Sequence, residues 1–512
     1  MHIKCILLFF CVFVKLSDNY KILAVFPMHS HSHYTLGFNL LEEMANRGHE
    51  ISLISPYPLA KPLKNFRDIS VASIKTAVEE IKKNLFRLEG GTPIDNFRYM
   101  SKMGRAFTEL SLATEEVQHL LKSKEKFDLV FVEHFYNEAQ FAFGHHFNAP
   151  VVLLSPMPSS ILNNHLFANP APPSYVHNLF APFTQYMTLP QRIKNFYYNI
   201  AMTFYQYYDE LPAQKKIMEK FFPTAPPFEE ILYNSSIMLV NSHPSFSDPV
   251  PHMTNVIEIG GYHVPPVKKL PEDLQKFLDE SKQGVVYFSM GSILRSHVLS
   301  KKKRDSLIKA FSKLKENVLW KFDVDVANLP PNVKILKWVP QNDVLAHPNI
   351  KVFVTHGGLL STIETIYHGV PTIGIPVFSD QKFNIASSVK SGYAIKVPFE
   401  EMTEPNLTNA LNEVLNNPKY RENAKRRSKI MHDQQVKPID KAIYWIEYVI
   451  RHKGAPHLHS AALDLSWYQR HLIDFAVYSV LITITLIACL HQIFRLIIST
   501  KSKSIIESKK KK

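Results

Sequence analysis

From Tyr20 onward, short apolar runs alternate with longer amphipathic stretches, in two series separated by a proline-rich passage. An apolar run bounded by turn residues and followed by an amphipathic segment is a strand feeding a helix. Repeated, it specifies parallel sheets with helices on their faces. YKILAVFP reads as the first strand, Thr35 to Arg47 as a helix and HEISLISP as the next strand, with Gly48 where a helix C-cap is expected. FDLVFVE and APVVLLSP extend the first series, with a helix through His146 between them. The passage from Pro249 to Pro271 interrupts it. GVVYFSMGS opens the second series by entering a Gly-Ser loop; a helix from Lys301 to Lys315 and the strands NVLWKF, NVKILKWVP and IKVFVTHGG follow. The expected fold is α/β, two Rossmann-like domains facing a cleft, with ligands collecting at the carboxyl ends of the strands. Neither series carries GxGxxG, which removes the main support for a nicotinamide-dependent oxidoreductase.

A chain of 512 residues suits two domains of ordinary size, and 46% hydrophobic with 20% charged residues excludes wholesale disorder. The net charge of +14 does not point to nucleic acid. Six lysines among the last twelve residues, against Glu507 alone, supply part of it, and the rest is scattered without an arginine-rich stripe. Cys5, Cys11 and Cys489 all fall in apolar segments at the two ends, so the body has no disulfide framework, thiolate nucleophile or Cys-ligated zinc. No HExxH-like spacing occurs either, and a metal-independent mechanism without a cofactor is the default expectation. Between residues 155 and 227 the alternation degenerates into a stretch rich in proline and aromatics, among them Phe180, Phe183, Tyr186, Phe196, Tyr197 and Phe204. It reads equally as a packed helical excursion or as the lining of an apolar acceptor pocket.

The two ends read as targeting and membrane segments. Lys4, the apolar run CILLFFCVFV and a polar exit at Lys15 to Asp18 make a secretory signal peptide. Phe475 to Leu490 is free of charge and long enough, with its flanks, to cross a bilayer; the lysines beyond it belong on the cytoplasmic side. The body is then lumenal, where Asn234-Ser-Ser and Asn406-Leu-Thr are candidate glycosylation sequons.

The most specific stretch is FVTHGGLLSTIETIYHGVPTIGIPVFSDQ, Phe353 to Gln381. A buried strand ends at His356, and Gly357-Gly358 opens a helix carrying Ser361, Thr362 and Glu364. Two glycines let a ligand approach the backbone, and the helix start supplies free N–H groups and partial positive charge suited to a diphosphate. His356 adds a hydrogen bond to a phosphate oxygen, and Glu364 is a carboxylate able to accept from two ribose hydroxyls. Asp380 and Gln381 end the following short strand with the acceptors and donors that sugar hydroxyls need.

This stretch resembles, over its whole length, the signature of the UDP-glycosyltransferase superfamily, with Thr372 at a usually aliphatic position. Upstream, Trp338-Val-Pro-Gln341-Asn342-Asp-Val-Leu-Ala-His-Pro is similar to the family's nucleotide-base segment. The likeness runs over nearly the entire chain, closest to the animal endoplasmic-reticulum branch, and HGGLLST looks like its invertebrate members. The resemblance implies two Rossmann domains of the GT-B type without metal. The C-terminal half would hold the UDP-sugar: Trp338 on uracil, Gln341 on the nucleoside, Asn342 in the donor pocket, with Ser292 of the Gly-Ser loop as a further donor contact. The N-terminal half would hold the acceptor. Lys509 and Lys510 resemble a dilysine retrieval signal. The resulting division is 1–18 signal peptide, 19–250 acceptor-binding domain, 251–280 linker, 281–452 donor-binding domain with return helices, 453–472 juxtamembrane segment, 473–494 transmembrane helix and 495–512 cytoplasmic tail.

Transfer to a hydroxyl needs a base, and histidine titrates near operating pH. The loop after the first strand offers His29, His31 and His33. The family's base follows a serine and precedes an aromatic, ahead of the helix that ends in Arg47-Gly48-His49-Glu50, so the resemblance assigns the role to His33. Its orienting carboxylate, an aspartate in the animal branch, is here Glu133 at the end of FDLVFVE, with Glu138 as a second candidate. Leu359-Leu360 stands where vertebrate members carry a polar residue, which favours glucose over glucuronate as the transferred sugar. The expected activity is inverting transfer of a hexose from a UDP-sugar to a hydroxyl of a small lipophilic acceptor. A UDP-glucuronosyltransferase of the same architecture and a non-catalytic UDP-sugar-binding protein are the alternatives. The partners are the UDP-sugar, the acceptor and a lipid bilayer, with self-association into a homo-oligomer left open.

Overall fold

Successive residues of a strand point to opposite sides of its sheet, and in this protein both sides are covered. In the first strand Ile22 and Ala24 enter one core and Leu23 and Val25 another, all fully buried. Leu129 and Phe131 separate from Val130 and Val132 in the same way. This is why the strands read as unbroken apolar runs rather than alternating ones. The computed structural model describes residues 19–82, 90–291, 299–324 and 326–510. The signal-peptide reading of residues 1–18 and the donor contact assigned to Ser292 lie outside the described residues.

The first sheet contains β1 (Lys21–Val25), β2 (Glu50–Ser55), β3 (Phe66–Ser70), β4 (Leu129–Glu133), β5 (Val151–Ser155), β6 (Ser235–Val240) and β7 (Val256–Glu258). They run parallel in the order β3-β2-β1-β4-β5-β6-β7. The second contains β8 (Val285–Ser289), β9 (Asn317–Lys321), β10 (Val333–Leu336), β11 (Ile350–Thr355), β12 (Thr372–Gly374) and β13 (Ala394–Lys396), parallel in the order β10-β9-β8-β11-β12-β13. In both sheets the order reverses beside the first strand of the series, so β1 and β8 each open onto a crevice at their carboxyl ends.

Some boundaries differ from the sequence reading. The first helix is His31–Asn46, starting before Thr35, because Ser30 adopts the extended backbone of an N-cap and accepts from the Tyr34 N–H at 3.0 Å. The helix of the second series stops at Ser312 rather than Lys315. The short strand β7 lies inside the proline-rich stretch read as linker and is the edge of the first sheet, paired with β6. Polar β3 and three-residue β7 and β13 give no apolar run from which to read a strand.

The chain finishes its body by returning to the first sheet. Helix Pro438–Arg451 buries Ala442, Ile443, Ile446 and Val449 in the core that holds Ile22 and Leu36. Arg47 pairs with its Asp440, and His49, fully buried, meets Glu447 at 3.2 Å. The Arg-Gly-His-Glu segment is thus a clamp for this helix, with Gly48 at φ +106° making the turn between the two pairing residues. Residues from His459 onward form a separate unit. It contains one long helix, Ile473–Lys510, whose stretch Ile473–Lys503 is long and apolar enough to cross a bilayer and exposes its apolar side chains.

Candidate active site

His33 and Glu133 are a hundred residues apart in sequence and meet because β4 is the neighbour of β1. His33 sits in the first turn of the helix that follows β1, and Glu133 is the last residue of β4. His33 Nδ1 lies in a short contact with Glu133 Oε1. A carboxylate only accepts, so Nδ1–H donates and the lone pair of Nε2 is left for chemistry. Glu133 is almost wholly buried while the imidazole keeps some exposure, the arrangement of an orienter behind a working base. The Phe135 ring packs on the imidazole at 4.9 Å, edge to face. Asn137 fixes the turn after β4, donating to Glu133 O and accepting from the Phe135 N–H, both at 2.8 Å. Glu138, the other candidate, is turned away and meets His134 Nε2 at 3.2 Å. His29 and His31 pack against Tyr57, both at 5.1 Å.

In the second sheet β11 ends at Thr355 and helix Leu359–His368 begins after Gly357-Gly358, leaving first-turn N–H groups without intrahelical acceptors. The ring of His356 is packed between two glycines. A Cβ on Gly291, at φ +76°, would lie 2.6 Å from it, and one on Gly358 would lie 2.7 Å away. Both positions exclude any side chain while His356 occupies this place. Burial, with Lys321 adding to it, pushes the His356 imidazole down to about 4, so it stays neutral near pH 7.

Gln341 Nε2 donates to Glu364 Oε2 at 2.6 Å and to Ser361 Oγ at 3.0 Å, while its Oε1 accepts from Tyr287 at 3.3 Å. Tyr287, the middle residue of β8, thereby anchors a chain that aims Glu364. Burial pushes the Glu364 carboxyl up to about 7. Trp338 keeps 67% of its surface exposed, an aromatic ring of the kind a base stacks on. Asp380 accepts from Asn384 at 2.7 Å, and Asn384 also donates to Gly357 O at 2.9 Å, tying the Asp-Gln segment to the glycine turn. Gln381 spends its Oε1 on the N–H groups of Val377 and Phe378, at 2.9 and 3.3 Å, so part of its amide is structural. The Asn342 amide donates to Pro265 O at 3.2 Å and accepts from His368 at 2.8 Å, bracing the linker against the helix.

The two halves meet around these residues. The Ser379 N–H donates to Asn96 Oδ1 at 2.9 Å, Lys382 Nζ to Gly91 O at 3.2 Å, and His177 stacks on Phe383 at 4.1 Å. Asp380 lies close enough to His33 that a charged imidazole favours its ionised form, although burial pushes the carboxyl up on balance. The proline- and aromatic-rich stretch behaves as neither reading of it alone. Phe180 and Phe183 are buried, whereas Tyr186, Phe196, Tyr197 and Phe204 face outward. Both sequon asparagines are exposed, Asn234 just before β6 and Asn406 on helix Glu404–Asn416.

Sequence reasoning missed Lys321, the last residue of β9. Its ammonium stands 4.7 Å over the Trp338 ring, is partly stripped of water, and feels the charges of Glu364 and Asp323. Its place at the carboxyl end of a strand in the NVLWKF run was the available signal. Asn96, Tyr287 and Asn384 carried none, since each acts through a partner distant in sequence.

Two parallel Rossmann-like sheets whose strand ends face each other, one offering a histidine–carboxylate pair and the other a Gly-Gly helix start, define a glycosyltransferase of the GT-B class. The chain belongs to the family described as UDP-glucoronosyl and UDP-glucosyl transferase, whose model matches residues 21–511. It is similar to UDP-glucosyltransferase 2 of Dactylopius coccus, 35% identical over 476 residues and 92% of each chain. It is similar as well to UDP-glucuronosyltransferase 2B9 of Macaca fascicularis, 32% identical over 465 residues and 87% of each. Among solved structures, a UDP-glucose: anthocyanidin 3-O-glucosyltransferase in complex with UDP shares the fold with a TM-score of 0.56 at 16% identity, over 84% of this chain and 99% of that one.

Proposed function

We propose that the protein transfers a hexose, glucose in the first place, from a UDP-sugar to a hydroxyl of a small lipophilic acceptor, with inversion at the anomeric carbon. The observation that carries this reading is the His33–Glu133 pair at the carboxyl end of one sheet together with the glycine turn and Asp380, tied through Asn384, at the carboxyl end of the other. In the reaction His33 Nε2 takes the acceptor's hydroxyl proton as its oxygen bonds to the anomeric carbon. The bond from that carbon to the β-phosphate oxygen breaks, and UDP leaves with the electron pair. Glu133 holds the imidazolium that forms. The N–H groups at the start of helix Leu359–His368, with neutral His356 donating, receive the leaving charge. Glu364 accepts from the ribose, Trp338 stacks on uracil, and Asp380 with the rest of Gln381 engages the sugar. These fixed dipoles replace a metal, so activity is expected to survive chelation by EDTA.

Glucose is favoured because Leu359 and Leu360 give the helix start no polar group toward a uronate. The names of the relatives divide between glucosyl and glucuronosyl transfer, so glucuronate is the second reading. Assay against a panel of lipophilic phenols and alcohols, with UDP-glucose and UDP-glucuronate side by side, decides between them; higher kcat/KM with UDP-glucuronate moves the reading to the second. The body is proposed to lie in the endoplasmic-reticulum lumen, tethered by the apolar helix with the lysine-rich tail in the cytoplasm. Protease protection of the body in sealed microsomes, with digestion of the tail, tests that topology.

A further inference from the structure

Helix Leu189–Tyr205 is inside out. In a soluble protein a surface helix buries its apolar residues and exposes its polar ones. Here Asn195, Gln206 and Glu210 are buried on the inner face of this helix and its continuation through Glu210, while Leu189, Ile193, Phe196, Ile200, Phe204 and Tyr208 are each more than half exposed. At ~100° per residue those six fall within an arc of ~120°, a continuous stripe with the Phe204 and Tyr208 rings 4.3 Å apart along it. The inner face packs Met202 into the core and is anchored besides by hydrogen bonds. Asn195 accepts from the Asn178 N–H at 2.7 Å and donates to Pro173 O and Val176 O at 2.8 and 2.9 Å, and Glu210 is held by Gln214 at 2.9 Å and Arg105 at 3.2 Å. These bonds fix the orientation, so the apolar stripe is a built feature. Six side chains this exposed leave on the order of 500 Å² of apolar surface in one strip, the size of the largest patch on a monomer, which often marks an interaction surface.

We propose that this stripe rests on a lipid bilayer, so that the body touches the membrane through a second element besides the tether. Three observations select lipid over a protein partner. First, residues 189–208 contain no Asp or Glu, and the only charges, Arg192 and Lys194, are exposed on the two margins of the arc, where their stems lie along apolar surface and their heads reach phosphate. Second, Tyr197, Tyr207 and Tyr208 join the stripe with a polar tip on an aromatic body, the side chain that membrane interfaces favour. Third, the chain carries an apolar helix of bilayer-spanning length, Ile473–Lys503, so a membrane is within reach at high effective concentration. A helix of 17 residues lying flat in the interface matches this pattern.

The experiment uses the full chain in vesicles of phosphatidylcholine, phosphatidylethanolamine and phosphatidylinositol, with a protease site inserted between Leu458 and Trp467 and cut after reconstitution. Flotation before cutting reports the tether, and flotation after cutting reports the stripe. The expected result is that the severed body stays with the vesicles, also at high salt, while the variant I193Q/F196Q/I200Q/F204Q is released with a partition coefficient at least ~10-fold lower. Release of the unsubstituted body overturns the docking and leaves the tether reading standing; failure to float before cutting overturns both. Equal retention of the variant overturns the stripe as the contact. Folding of the variant is not the only support. With Cys5, Cys11 and Cys489 changed to serine, a fluorophore on Phe196→Cys should be quenched by nitroxide-bearing acyl chains and shielded from iodide, and one on Lys419→Cys should show the reverse. Iodide quenching equal at the two sites overturns the proposal, and so does shielding at Phe196→Cys that tracks protein concentration and yields cross-linked pairs, the behaviour of a dimer interface.

Discussion

The two halves of the protein use the same parallel-sheet geometry in opposite ways. The second half keeps its ligand groups together: Trp338, Gln341, His356, the glycine turn, Glu364, Asp380 and Asn384 follow one another through β11 and β12 and brace each other directly. The first half draws its working pair from β1 and β4, a hundred residues apart, and fills the intervening and following chain with long helical excursions. A contiguous site depends on local backbone turns, which tolerate little change. A dispersed one depends on sheet order, which leaves the excursions free to vary in shape and surface. The second half is therefore rigidly specified and the first open to remodelling.

That contrast can be broken most sharply at His33. The variant H33A should lower kcat/KM by ~10²–10⁴ while leaving UDP binding unchanged. If UDP affinity falls with it, the halves are not separable as described. The variant E133Q should follow the same pattern with a loss of about 10²-fold or more, since the neutral amide no longer fixes the Nδ1–H tautomer. Next comes G291A, which acts on the rigid half. It puts a methyl 2.6 Å from the His356 ring at a positive φ, and should cost about 1–3 kcal/mol in urea unfolding with weaker UDP binding. An unchanged stability would show that the donor half is as adaptable as the other.

Smaller effects sharpen the electrostatics of the donor side. The variant K321M should raise the donor KM by roughly 3- to 10-fold with little change in kcat, and K321R should restore it. Glu364 gives a pH signature. Burial raises its folded-state value from 4.5 to about 7, so the carboxylate that accepts from ribose is complete only above about 7 and is lost as pH falls toward 4.5. Donor KM should rise over that window, and E364Q should flatten the rise. The stability contribution has the opposite sense: a raised folded-state value makes it greatest below 4.5 and smaller as pH climbs to about 7, a decline that E364Q should also remove.

The glycine-opened helix, the two βα series and the apolar terminal helix were readable from the sequence because each is a local pattern. Their turn residues, periodicity and hydrophobic run lengths act over a few neighbours. Which histidine and which glutamate pair was not local. His33 meets Glu133 rather than Glu138 because the strand end aims Glu133 at the first helix while the next turn carries Glu138 to His134. The partners of Asn342, Pro265 and His368, stand on other elements and were not readable for the same reason. The aromatic stretch shows the limit most clearly. Its composition fixes apolar surface but not direction, and the helix faces Phe196 and Phe204 outward because the hydrogen bonds of Asn195 and Glu210 hold its polar side in. Sequence determined which segments become strands, helix starts and a membrane-length run. Only the tertiary structure decided which side chains meet and which face water, because those follow from sheet order and burial, properties of the assembled chain.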